Sequence, residues 1–304
     1  MKQYGLPYKG SKHKIAMWVV NNLPRNEHFY DLFGGGCAVT HAAILSRRYE
    51  HYHVNDITPV PMLFSTIANG EMKNDVNMFV SRDEFNKNKS TDMYIAITWS
   101  YGNNMDDYLY SEEKEPIKLA CHNAVVFDLW DDLHKHLDKD VCEACRNALC
   151  GVKSISIRRI TFQRIIKRIS EKNSAYERLQ HLERVERINT IIGITKNVDL
   201  VCTTADYRNV DILPNSTVYC DIPYINTRKY NKEDFDHDSF YEWCLTRDYP
   251  VFVSEYYMPN DFAEIDRITR LGSQSHGHPN MTIEKIYVQR KYADKYNANL
   301  FNFQ

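Results

Sequence analysis

Apolar residues fall in short strand-like bursts at the two ends of the chain and recur with helical spacing through its middle. Residues 12–22 (KHKIAMWVVNN) have helical spacing, 28–33 (HFYDLF) are strand-like, and GGG at 34–36 breaks the run. A second helix is expected over 38–49 (AVTHAAILSRRY) and a second short strand over 51–56 (HYHVND), which together open a βαβ unit. From about 72 to 190 glycine is scarce and the period is helical, as in EKEPIKLACHNAVVFDLWDDLHKHL. A further helix is expected over 174–194, with apolar positions at Leu179, Leu182, Val185 and Ile188. Strand-like runs resume at 197–207 (NVDLVCTTADY), 216–224 (STVYCDIPY), 249–257 (YPVFVSEYY) and 284–291 (EKIYVQRK). The pattern predicts an α/β sheet that a mainly helical insert interrupts and later strands complete.

Composition narrows this picture only slightly. A chain of 304 residues is one large domain or two modest ones, and 26% charged residues with a net charge of −2 describe an ordinary globular protein. No apolar run reaches bilayer length, so no membrane partner is expected, and the start MKQYGLPYKGSKHK lacks the apolar core of a signal peptide. Eight cysteines without a secretory signal fit a reducing, cytoplasmic setting. The near-zero net charge exerts no global pull on nucleic acid, but the insert carries one basic stretch at 153–172. Its Lys153, Arg158, Arg159, Arg164, Lys167, Arg168 and Lys172 face a single acid, Glu171, and are candidates for phosphate contacts; a solvated helix face is the bland alternative.

The candidate chemistry sits at strand ends. DLFGGG (31–36) places glycines after a strand, where a tight turn lets a ligand approach the backbone and the next helix offers its free N–H groups. The spacing is not G-x-G-x-x-G, and Asp31 before the turn would repel a pyrophosphate while welcoming an ammonium group. Asp56, about 20 residues after the glycines, can accept both hydroxyls of a ribose, or cap a helix. Together Asp31, Gly34, Gly35, Gly36 and Asp56 suggest a nucleoside bearing an amino acid, namely S-adenosyl-L-methionine. Asp206 can accept from an adenine amino group while Tyr207 packs on the ring, or the pair is a strand-to-turn acid beside a core tyrosine. In Asp221-Ile222-Pro223-Tyr224 the acid and the adjacent Ile222 carbonyl can accept both protons of an exocyclic amine, with Tyr224 stacked on the base. Such an amine is a poor nucleophile until its lone pair is turned out of the ring, so these acceptors are what the chemistry needs.

The order and spacing of these motifs resemble the Dam-type DNA adenine-N6 methyltransferases. YKGSK (8–12) is similar to their N-terminal cofactor and DNA segment, DLFGGG to their F-x-G-x-G loop, VND (54–56) to their ribose-binding strand end, and CDIPY to their D-P-P-Y motif. VFVSEYYMP (251–259), EKIYVQR and WSYGNN (99–104) extend the resemblance. It implies a Rossmann-like sheet with helices on both faces, formed by a catalytic domain of 1–71 and 197–304. A target-recognition insert of 72–196 would bind double-stranded DNA. It also implies S-adenosyl-L-methionine as methyl donor and a flipped adenine as acceptor. Tyr8, Lys12, Asp31, Phe33, Gly34, Gly35, Gly36, Asp56, Asp206 and Tyr207 would line the cofactor, and Asp221, Ile222, Pro223 and Tyr224 the base. The family admits a restriction endonuclease as companion.

Ile222 stands where that family has its first proline, so the acceptor carbonyl survives while part of the stiffness of a Pro-Pro pair is lost. That substitution leaves room for a weak or inactive DNA- or cofactor-binding homologue. Methylation of cytosine N4 or of RNA is a further alternative; Asp221 favours adenine, because the cytosine enzymes usually begin the tetrapeptide with serine. No metal site is assigned. Cys142 and Cys145, with Cys121 and Cys150 nearby, form one C-x-x-C where zinc binding usually shows two, and the run also reads as a helix with both thiols on one face. HDSFYEWC (237–244) reads equally as a core helix and as a wall near the tetrapeptide.

Overall fold

Seven strands pair in the order β3-β2-β1-β4-β5-β7-β6. They are β1 (His28–Asp31), β2 (His51–Asp56), β3 (Asp199–Thr204), β4 (Ser216–Cys220), β5 (Val251–Glu255), β6 (Phe262–Leu271) and β7 (Met281–Gln289). The first five run parallel, and β7 enters antiparallel between β5 and β6. The computed structural model describes residues 3–169, 178–225, 235–271 and 281–297; Lys172 and the first four residues of the expected 174–194 helix lie outside them. The chain divides into two compact units. One comprises Met1–Gly5, Ser11–Asn69 and Gly193–Gln304, the other Leu6–Gly10 and Gly70–Ile192.

Among the described residues the first unit holds the sheet and five α-helices: α1 (Ala16–Asn21), α2 (Ala38–Ser46), α3 (Val60–Ala68), α10 (His237–Leu245) and α11 (Arg290–Asn297). Strand alternation sorts the core into two layers. Tyr30, Leu32, Val218, Cys220, Val251 and Val253 pack against Phe240, Tyr241 and Cys244 of α10. On the other face Phe29 meets Tyr49 and Phe252 meets Tyr296 of α11. The sheet is therefore covered on both faces, as the α/β expectation requires. Helix α2 stops earlier than its apolar pattern, because Arg47 turns left-handed at φ 51°. Strand β6 was not expected from FAEIDRITRL: its charged residues lie on an edge strand, where a strand needs apolar residues on one side only.

The strand order reverses between β1 and β4. In parallel α/β sheets this is where the connections diverge and leave a crevice at the carboxyl ends. Asp31 ends β1 and Asp221 directly follows β4, its neighbour, so two acids separated by 190 positions open onto the same crevice.

The second unit is helical: α4 (Arg82–Asn88), α5 (Met93–Trp99), α6 (Glu115–Phe127), α7 (Lys139–Leu149), α8 (Ile155–Ile169) and α9 (Gln180–Asn189). Ser81 caps α4 by accepting from the Glu84 amide, and Asp92 caps α5 by accepting from Ile95. The expected apolar stripe of α9, Leu179, Leu182, Val185 and Ile188, is buried throughout. Cys121, Cys142 and Cys145 are packed in the apolar core of this unit. Burial pushes the thiols of Cys121 and Cys145 up to about 12, away from the thiolate that zinc would need. No helix among the described residues is long and apolar enough to cross a membrane.

The basic stretch of α8 divides by face, which corrects the expectation that all of it is available to phosphates. Arg158 is buried and spends its five donors inside the unit. Nε donates to the Val125 carbonyl, Nη1 to those of Leu149 and Val152, and Nη2 to the Ala124 carbonyl and Asp128. Most of these acceptors are the open carbonyls at the ends of α6 and α7, so the guanidinium acts as a shared cap. Arg159 is held by both oxygens of Glu186 and by Gln163. Lys153, Arg164, Lys167 and Arg168 remain exposed, on the face that also carries Ile157 and Ile160.

Replacing Arg158 by alanine leaves several buried carbonyls unsatisfied and is expected to destabilise the second unit by about 3 kcal/mol in urea titrations. Arg164→Ala is expected to stay within about 0.5 kcal/mol of wild type. Equal effects of the two substitutions would contradict the division of the helix into a structural and a free face.

Candidate active site

The glycine turn after β1 is set by close approach. The Gly34 amide donates to the Asn55 carbonyl (2.8 Å), and a Cβ at Gly34 would meet Val54 Cγ2 at 2.3 Å. The Gly35 amide donates to Asp56 Oδ2 (2.8 Å), so the second acid ties the turn to the end of β2. Gly5, which the sequence did not single out, fastens the turn from the other side. It has φ +67°, its amide donates to His41 Nδ1 (2.9 Å), and a Cβ there would lie 2.3 Å from the Gly36 carbonyl oxygen. A side chain at Gly5 or Gly34 therefore collides with the backbone or side chains that shape the turn.

Asp31 is buried at the end of β1, and Thr40 of α2 donates its hydroxyl to Oδ2 (2.7 Å). Its other oxygen, Oδ1, has no hydrogen-bond partner among the described residues. Burial, reinforced by the nearby charges of Asp221 and Asp56, pushes the Asp31 carboxyl up to about 7. An unsatisfied, desolvated carboxylate of this kind is complementary to an ammonium group, which would supply both a donor and a compensating charge. Asp56 lies half-buried, with Oδ1 taken by the amide and hydroxyl of Thr58. Each carboxylate oxygen accepts two hydrogen bonds, so Asp56 retains capacity for a ribose hydroxyl.

Phe33 and Tyr207 pack together at a centroid distance of 5.2 Å, joined by Phe235 and Phe240, and form an aromatic wall beside the turn. Tyr207 also meets Trp243 edge-on. Asp206 is engaged by Arg208 through both carboxylate oxygens, which holds its carboxyl below the ordinary range. Tyr8 falls in Leu6–Gly10, a segment that belongs to the second unit, whereas the other expected cofactor residues all lie in the first.

The tetrapeptide forms the second half of the site. Lys12, expected beside the cofactor, instead lies with the tetrapeptide. Its Nζ is 2.9 Å from Asp221 Oδ1, 3.5 Å from Glu284 Oε2 and 4.2 Å above the Tyr224 ring. The Tyr224 hydroxyl donates to Glu284 Oε2 (2.7 Å), and its ring meets Tyr256 edge-on. Burial and the carboxylates of Asp221 and Glu284 push the Tyr224 phenol well above its usual range, so it stays a neutral platform.

Ile222 is buried in the core shared by β4, β5 and α10. His237, at the start of α10, donates Nε2–H to the Pro223 carbonyl (2.8 Å). Glu255, buried at the end of β5, accepts from the Ile225 and Tyr256 amides. The stiffness that a second proline would supply comes here from side-chain packing and two flanking anchors. The 237–244 segment thus serves both readings, as a core helix and as a support for the tetrapeptide.

Glu284, Glu255 and Gly5 are the residues that sequence reasoning missed. Glu284 opens EKIYVQRK and reads as the polar start of a strand; only the pairing of β7 beside β5 carries it to Tyr224.

A search of the curated proteins returns no match to the chain. The family model for the D12 class N6 adenine-specific DNA methyltransferases matches residues 8–243, more than three quarters of the sequence. The match spans both the glycine turn with its acids and the Asp221–Tyr224 tetrapeptide, so the chain belongs to the D12 class of N6 adenine-specific DNA methyltransferases and acts on adenine N6 in DNA.

Proposed function

We propose that the chain binds S-adenosyl-L-methionine in the crevice at the carboxyl ends of β1 and its neighbours β2 and β4 and methylates an adenine flipped out of duplex DNA at specific sites. The observation that carries this reading is the unpartnered Asp31 Oδ1, buried on the strand next to the one that delivers Asp221. Asp31 would hold the cofactor's ammonium group, Asp56 a ribose hydroxyl, and Phe33 with Tyr207 its adenine ring, while the glycine turn leaves room for the backbone approach. When bound, the cofactor supplies an electrophilic methyl group on sulfur.

What the protein does is orient the nucleophile. Asp221 and the Ile222 carbonyl accept the two amino protons of the target adenine, which lets nitrogen move toward tetrahedral geometry and aim its lone pair outward. Tyr224 stacks on the base and is kept neutral and fixed by Glu284. Lys12 bridges Asp221 and Glu284, so the acceptor carboxylate and the stacking ring are positioned by one cation. In the second unit, the exposed face of α8 with Arg164, Lys167 and Arg168 supports a role in contacting phosphates, whereas Arg158 and Arg159 support the fold.

Three outcomes are expected. Asp221→Ala should lower the rate of methyl transfer from labelled cofactor to duplex DNA by about 100- to 1,000-fold while cofactor affinity persists; undiminished transfer would remove Asp221 from the chemistry.

Asp31 controls a pH dependence whose sign is fixed. Its carboxyl is raised from 3.8 to about 7 in the folded chain, so within that window the folded state holds a proton that the unfolded chain has shed. The group therefore subtracts stability as pH rises through the window. Binding an ammonium group there requires the carboxylate, so cofactor binding should release more protons at pH about 6 than at pH about 8. Asp31→Asn should abolish that release and weaken binding by about 10- to 100-fold in calorimetry; an unchanged proton release would count against the ammonium role.

Replacing Arg164, Lys167 and Arg168 together by glutamine should reduce the slope of log K for DNA against log salt by about 2 to 3. An unaltered slope would return that face to solvent.

A further inference from the structure

A second cluster of chemistry-bearing side chains lies at the amino ends of the strands, away from the proposed methyl-transfer crevice. The parallel register sets His28 on β1 opposite His51 on β2, and His51 opposite Asp199 on β3. All three project from the same sheet face, in one row across three neighbouring strands. Glu27, immediately before β1, reaches the same row. Its Oε1 is 3.7 Å from His28 Nε2 and 4.0 Å from His51 Nε2, and the three atoms lie within 4.8 Å of one another.

The outer nitrogens are already committed. His51 Nδ1 is 2.7 Å from Asp199 Oδ2. A carboxylate can only accept, so Nδ1 carries the proton, and in the neutral ring Nε2 is left with a lone pair. His28 Nδ1 is 3.2 Å from His53 Nε2, and His53 is pinned by stacking on Tyr30 at 4.1 Å. With His28 as donor in that bond, its Nε2 also presents a lone pair. The two ligating rings stack at 4.7 Å and 22°. Two imidazole nitrogens and one carboxylate oxygen lie within 4.8 Å of one another, and each ring is held by a hydrogen bond on its far nitrogen, the arrangement that supports histidine–metal bonds. Glu27 is exposed and His28 and His51 are half-buried, so an ion reaches all three from solvent.

We propose that Glu27, His28 and His51 form a binding site for a divalent first-row transition ion, Zn²⁺ above all, completed by water at the fourth position. Two imidazoles with one carboxylate suit zinc, and the absence of thiolate separates this site from the cysteines of the second unit. The ligands sit on β1, the strand that ends in Asp31, and on β2, the strand that ends in Asp56. The ion acts as a staple across the pair of strands that carries the glycine turn. It takes no part in methyl transfer, and the inference stands independently of the role proposed for that turn.

The test is titration of the full-length protein with Zn²⁺, followed by bound-metal stoichiometry and thermal unfolding, with Co²⁺ as a spectroscopic substitute. Wild type is expected to bind one equivalent, to unfold at higher temperature when loaded, and to give cobalt d–d bands without a thiolate charge-transfer band. Glu27→Gln and His51→Gln should each lose the bound equivalent and the thermal shift while unfolding like metal-free wild type. Asp199→Ala should lower affinity by about 10- to 100-fold through the misoriented His51 ring. Wild type that takes up no ion, variants that bind as wild type does, or a thiolate band in the cobalt spectrum would each overturn the proposal.

Discussion

The Lys12 ammonium, set between Asp221 and Glu284 and above the Tyr224 ring, is the contact on which the proposed base-binding half of the site depends. Four groups of opposite or complementary polarity come from three distant parts of the chain: the segment before α1, the end of β4 and the middle of β7. Desolvating an ammonium costs several kcal/mol unless opposite charge and further contacts offset it. Here two carboxylates and an aromatic face do so. Removing any member would leave a desolvated charge, so the network acts as a cooperative unit. In the proposed function its effect is to hold an acceptor carboxylate and a neutral stacking ring in fixed relation before a base arrives.

The crevice itself follows from topology. Reversal of strand order between β1 and β4 leaves Asp31 and Asp221 at neighbouring carboxyl ends, near enough for the charge of Asp221 to help raise the carboxyl of Asp31. Their mutual repulsion in a buried setting is a cost that an incoming ammonium group would relieve at one acid, as Lys12 already does at the other. The same parallel register that collects carboxylates at one end of the sheet collects histidines at the other.

Much of this was legible in the sequence because it is local. Strand ends, the GGG turn and the D-I-P-Y tetrapeptide are contiguous, and the apolar stripe of the last insert helix follows directly from its period. What was not legible depends on pairing across the chain. Arg158 and Arg164 look alike in a basic run, yet a helical rotation puts one among the carbonyl ends of α6 and α7 and the other in solvent. Lys12 was assigned to the cofactor through its neighbours in sequence, and only the fold brings it to Asp221. Ile222 looked like a loss of stiffness because a tetrapeptide read alone does not show the α10 core beneath it or the His237 and Glu255 anchors beside it. Strand β6 escaped because an edge strand lacks the apolar density of its central neighbours.

The central claim is that a positioned carboxylate and carbonyl turn the amino group of a flipped adenine toward a methyl donor. It is tested most directly by incubating mixed-sequence duplex DNA with the protein and S-adenosyl-L-methionine, digesting the product to nucleosides and weighing the methylated ones. The account predicts N6-methyldeoxyadenosine, accumulating at a defined subset of sites, with cytosine unmodified. Methylation of cytosine N4, or no methylated nucleoside while the cofactor is demonstrably bound, would contradict it.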